Sequence, residues 1–205
     1  NQAFAKDSTK GGWSQMPHKD VVAAMLATGL LLMIANMSIE PIITVYVESL
    51  VSDLTRVTFV SGLTMSAAAL GSIISASQLG KVADRIGHST VIIAALVVAG
   101  LLLIPQAFVT AGWQLIALRF LMGLALGGLL PCIAAVIRHN VPGHYVGAAM
   151  GWSLSSQFAG QVAGPLLGGF VGGKIGMHAV FLGTSLLMFF GAVFNWRTVG
   201  FPSRK

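Results

Sequence analysis

Apolar residues run along this chain in six long blocks, at 21–49, 59–79, 91–109, 113–137, 146–170 and 179–196, and most of the charge falls between them. A helix rises 1.5 Å per residue, so crossing a hydrocarbon layer takes about 20 residues, with a range of roughly 17–25. Five blocks fit that length. The first is longer, which predicts a tilted or kinked helix, or one that ends in an interfacial turn. The runs are continuously apolar without period-two alternation, so they read as helices and not as barrel strands. The pattern predicts an all-α membrane protein with a six-helix bundle over residues 21–198. A polar segment at 1–20 precedes it and a short tail at 199–205 follows.

Composition agrees with the pattern and removes other classes. Only 9% of the 205 residues are charged and 55% are hydrophobic, whereas soluble domains carry about 25% charge. A mean hydropathy of +0.83 excludes a soluble globular enzyme and a disordered chain alike. The net charge of +6 would suggest nucleic acid in a soluble protein, but here the cations mark one membrane face. Lys6, Lys10, Lys19, Lys81, Arg85, Arg138, Arg197, Arg204 and Lys205 collect on one side, and Arg56 and Lys174 on the other; Arg119, inside a span, completes the twelve. Such a bias places both termini in the cytoplasm, and nucleic acid drops out as a partner. Cys132, the single cysteine, reads as a small buried hydrophobe. The chain begins with Asn and shows no signal peptide, which reads as a processed, truncated or partial polypeptide with a flexible cytosolic lead-in.

Small residues are frequent inside the spans. Ser156, Gly160, Gly164, Gly168 and Gly172 recur every fourth residue in the fifth span, and Ala67, Gly71 and Ser75 do so in the second. Such stripes let backbones approach in lipid. They serve either packing within the bundle or a contact surface for another bundle. Between the second and third spans lies a short charged loop with Gly80, Asp84, Arg85, Gly87 and His88, whose glycines permit a tight reversal.

The motif Gly-x-x-x-Asp-Arg-x-Gly at 80–87 resembles the cytoplasmic loop signature of the major facilitator superfamily. Gly151, Gly160, Gly164, Pro165, Gly168 and Gly169 reproduce the glycine-proline pattern of its proton-coupled drug antiporters. Arg119 to Gly123, followed by Gly127, Gly128 and Pro131, is similar to the family's arginine motif in the first helix of a three-helix repeat. The resemblance covers roughly residues 20–200. It implies two inverted three-helix repeats, half of a twelve-helix fold. The partner would be the N-terminal six-helix half, in the same polypeptide or as a second copy. His88 and Ser89 stand where the loop signature usually ends in two basic residues. That departure, with the polar lead-in, suits the C-terminal half of bacterial multidrug-resistance transporters, although the glycine-proline motif is commoner in first halves.

Charges inside a membrane are costly and point to function. Glu40 lies roughly 28 Å along the first span, and Arg119 roughly 9 Å in from the outer end of the fourth. The two spans occupy matching positions in the repeats and each carries a proline, Pro41 and Pro131, which predicts interrupted helices beside a pathway. Glu40 is read as a proton-exchanging group that Arg119 tunes, since burial raises a carboxyl pKa and a nearby cation lowers it. The plainer readings are an interfacial carboxylate and a structural ion pair. Asn36, Gln157 and Gln161 are the other intramembrane polar groups, read as cavity-facing or as interhelical glue.

The expected function is proton-driven efflux of amphipathic drug-like compounds by alternating access, from a bacterial inner membrane. A permease for a sugar or organic acid of the same fold, and a six-span binding or scaffold protein, are the alternatives. The five histidines scatter over tails and loops without metal-ligand spacing, and no nucleophile or phosphate-binding motif occurs. No enzyme activity, metal or cofactor is expected.

Overall fold

The computed structural model describes residues 18–50 and 54–200. The described residues form seven helices: α1 (Lys19–Leu50), α2 (Leu54–Ile86), α3 (His88–Gln106), α4 (Gly112–Leu126), α5 (Leu129–Asn140), α6 (Gly143–Lys174) and α7 (Met177–Thr198). No strand occurs among the described residues. Among the described residues, five segments are long and apolar enough to cross a membrane, with 112–140 counted as one. The 32-residue α6 also has the length, but its many glycines and two glutamines dilute its hydropathy. Most of the 1–20 lead-in, and the tail beyond residue 200, lie outside the described residues.

Three differences from the sequence expectation have physical causes. First, α2 and α6 run well past the apolar blocks at 59–79 and 146–170, because hydropathy marks the thickness of lipid and not the end of backbone hydrogen bonding. The charged stretch 80–86 is therefore the last two turns of α2. Gly80 is helical, and Gly87 alone, at φ +95°, makes the reversal into α3. Second, the first span is one continuous helix through Pro41. Third, the fourth span breaks at Gly127–Gly128 and not at Pro131. Pro131 sits in the first turn of α5, and its missing N–H leaves the Gly127 carbonyl without the helical donor it would have had.

Packing carries the signature of two inverted repeats. The first span packs most extensively on the fifth (α1 on α6), the second on the fourth (α2 on α4) and the third on the sixth (α3 on α7). The turns correspond as well: Gly87 between spans two and three, and Gly176 at φ +115° between spans five and six, each precede a helix as its cap. The small residues are used within the bundle. Gly160, Gly164 and Gly168 lie on the backbone and Cβ atoms of Leu30, Met33, Met37 and Ser38 in α1. Gly71, Gly123 and Gly127 do the same between α2 and α4, where an added Cβ would collide with the carbonyls of Phe120, Ala68 and Ser72. Buried hydroxyl bonds join other helices: Ser185 donates to the Gly100 carbonyl at 2.7 Å, Asn195 Nδ2 to Thr28 Oγ1 at 2.7 Å, and Tyr46 Oη to the Gln106 carbonyl at 3.0 Å. The outer surface is oily. Phe59, Ile73, Leu166, Phe170 and Leu186 are all at least 60% exposed, an arrangement suited to acyl chains and unsuited to water.

Candidate functional site

A cavity of about 300 Å³ opens where α1, α2 and α4 meet. Helical spacing supplies its walls. Asn36, Glu40 and Ile43 come from one face of α1, and Arg119, Met122, Gly123 and Leu126 from one face of α4. Thr64, Met65, Ala68, Ala69 and Ser72 of α2 close the third side. The glycine contacts position this wall, since Gly123 brings α4 into backbone contact with α2. The hydroxyls of Ser72 and Ser75 then reach the Gly123 carbonyl, each at 3.3 Å.

Arg119 is 5% exposed. Its Nε and Nη2 are buried without a hydrogen-bond partner. A buried charged donor left unpaired is expensive, and here it sits on a cavity wall beside a carboxylate. Glu40 is the one acidic side chain on that wall and is itself exposed. No ion pair within 4.0 Å joins the two among the described residues.

Glu40 also lines a second cavity of about 390 Å³, with Met37, Pro41, Thr44, Met65 and Pro165. Glu40 and Met65 thus stand between two chambers. Pro41 and Pro165 each lack the N–H that would bond the carbonyl four residues back, at Met37 and Gln161, so backbone acceptors are freed beside this chamber.

The other residues singled out in the sequence fall elsewhere. Gln157 and Gln161 lie on the α1–α6 seam, outside the lining of both chambers. Gln157 Nε2 donates to Ser153 Oγ at 3.2 Å, and Gln161 Nε2 approaches Met33 Sδ at 3.9 Å. Of the glycine-proline motif, Gly160, Gly164 and Gly168 face α1, Pro165 faces the second chamber, and Gly151 and Gly169 face open space. In the loop motif, Asp84 lies 3.6 Å from His88 Nε2 and Arg85 is exposed. Thr64 and Ser72 went unremarked in the sequence; their eight-residue spacing, on the face that carries Ala68, was the readable signal.

Comparison with known proteins gives the same architecture. The profile described as Major Facilitator Superfamily matches residues 22–205. The chain is 37% identical over 179 residues to the multidrug resistance protein MdtG of Salmonella typhimurium, covering 87% of this chain and 44% of the relative. It is 40% identical over 175 residues to MdtG of Enterobacter lignolyticus, covering 85% and 42%. For MdtG of Serratia proteamaculans the figures are 40% over 176 residues, 86% and 43%. The chain spans less than half the length of these relatives. With its apolar spans, paired repeats and glycine-packed seams, it is a multi-pass membrane protein that belongs to the major facilitator superfamily.

Proposed function

We propose that this chain is the C-terminal half of a proton-coupled exporter of amphipathic drug-like compounds, seated in a bacterial inner membrane with both termini in the cytoplasm. The single observation that carries the reading is the wall shared by Glu40 and Arg119, whose buried Nε and Nη2 have no partner. A carboxyl beside a fixed guanidinium is held charged when the two are close and takes a proton when they part or when water leaves. Glu40 is the group that binds and releases the proton, and Arg119, charged throughout, sets when it does so. Asn36 adds a hydrogen-bonding group to the same wall, and Met65 and Met122 give it an adaptable apolar surface. Gln157 and Gln161 act as polar groups of the α1–α6 seam and not as part of the chamber wall. The other six-helix half closes the pathway, and rocking of the two bundles exposes it alternately. The protein performs no catalysis, and the resemblance to proteins named for multidrug resistance supports export over metabolite uptake.

The test is Glu40→Gln in the full-length polypeptide, with efflux of a fluorescent dye followed in energised vesicles. Efflux that a protonophore abolishes in the parent and that is lost in the variant is expected. Proton-driven efflux unchanged in Glu40→Gln removes Glu40 from the mechanism. Protonophore-insensitive transport in the parent overturns proton coupling itself.

A further inference from the structure

A second titratable cluster lies away from the Glu40 site, at the opposite ends of the helices. His88 opens α3, directly after the Gly87 reversal, and is 3.6 Å from Asp84 in the last turn of α2. Its ring faces that of His139, in the last turn of α5, with centroids 5.7 Å apart. Both imidazoles and Asp84 border a cavity of about 490 Å³ together with Arg138. The α2–α3 turn belongs to the first repeat and the end of α5 to the second. The His88–His139 contact therefore crosses the boundary between repeats.

We propose that His88 and His139 form a proton-responsive latch that holds the two repeats together at the face bearing the α2–α3 turn. The latch releases when both rings are charged. The proposal rests on the transporter reading and orientation given above, which make this face cytoplasmic. Imidazole is the side chain whose charge changes between about pH 5 and 8. While the pair carries at most one charge, Asp84 offsets it and the rings pack. On acidification two cations stand 5.7 Å apart. Asp84, largely exposed, offsets only one, and Arg138 on the same wall adds repulsion. Among the described residues, the other charges at this face are Lys81 and Arg85 of α2, Asp20 of α1 and Arg197 of α7, all exposed and screened by solvent, and the half-buried Lys19 of α1. The ring of His144 in α6 lies tilted against its neighbour Tyr145, with centroids 4.1 Å apart. A transporter that brings protons into the cytoplasm would thus feel their accumulation at the latch.

Cys132 is the native reporter. It lies two turns before His139 on the same face of α5 and is 1% exposed, and it should become accessible when α5 parts from the turn. The experiment uses the full-length polypeptide in inside-out vesicles, labelled with a membrane-impermeant maleimide. Modification of the peptide that contains Cys132 is quantified by mass spectrometry. The parent is compared with His139→Asn at about pH 7.5 and 5.5. The reagent's own pH dependence is common to both proteins and cancels in their ratio. The ratio of parent to variant labelling should be near one at the higher pH and rise by about three- to a hundredfold at the lower, the range for two unit charges meeting at this distance between bulk water and a protein surface. A ratio that does not change with pH overturns the latch. Should His139→Asn misassemble, His88→Gln keeps size and hydrogen bonding without the charge and gives the same comparison. Labelling that proceeds only from the opposite face overturns the orientation, and the ratio measured from that face still decides the latch.

Discussion

Arg119 shows what a single side chain contributes here. Its guanidinium is planar and forked, and its two unpartnered nitrogens require acceptors placed in that plane. A lysine at this position keeps the charge as a mobile point without the fork. Arg119→Lys is expected to reach the membrane at parental levels yet lose about ten- to a hundredfold in efflux rate, the equivalent of one charge-assisted hydrogen bond; quantified expression beside dye efflux checks this. Gly87 tests backbone chemistry instead. At φ +95° and ψ 136° it occupies a region that side-chain-bearing residues avoid. Gly87→Ala should cost about 1–3 kcal/mol, measurable as a lower Tm in detergent.

Among the helices, adjacent glycines make opposite predictions. Gly168 presses on Ser38 of α1, whereas Gly169 faces open space. Gly168→Val should separate α6 from α1 and yield aggregated protein on size-exclusion chromatography. Gly169→Ala should be neutral or raise stability by about 0.5–1 kcal/mol through helix propensity. The six spans were legible because bilayer thickness imposes a length on apolar runs. The ends of α2 were not, because Lys81, Asp84 and Arg85 are as compatible with a helix in water as with a loop. The break at Gly127–Gly128 was hidden by Pro131, whose effect falls on the carbonyl four residues back. Glu40 and Arg119 stood out as charges in oil. Their meeting on one wall depended on the approach of α4 to α2 at Gly123, which no local pattern encodes.

For the molecule as a whole, the distribution of Lys and Arg makes a test independent of any transport assay. Arg138→Cys should be labelled by an impermeant thiol reagent from the cytoplasmic face, and Lys174→Cys from the outer face. Lys174 holds its ammonium 5.0 Å from the Phe170 ring, where an interfacial anchor is expected. The opposite pattern inverts the topology. The oily exterior of α2, α6 and α7 likewise requires lipid or detergent throughout purification.

The one-residue reversal at Gly87 and the two-residue reversal at Ile175 and Gly176 carry a mechanical consequence. A connection that short has no slack, so α2 and α3 cannot slide lengthwise past each other, and neither can α6 and α7. Each pair is therefore expected to keep its lengthwise register, so that a change in cavity access would come from tilting and not from sliding. A cysteine bridge stapling α2 to α3 beside Gly87 should therefore leave turnover intact, while one stapling α1 to α2 across the mouth of the Glu40 chamber should freeze it.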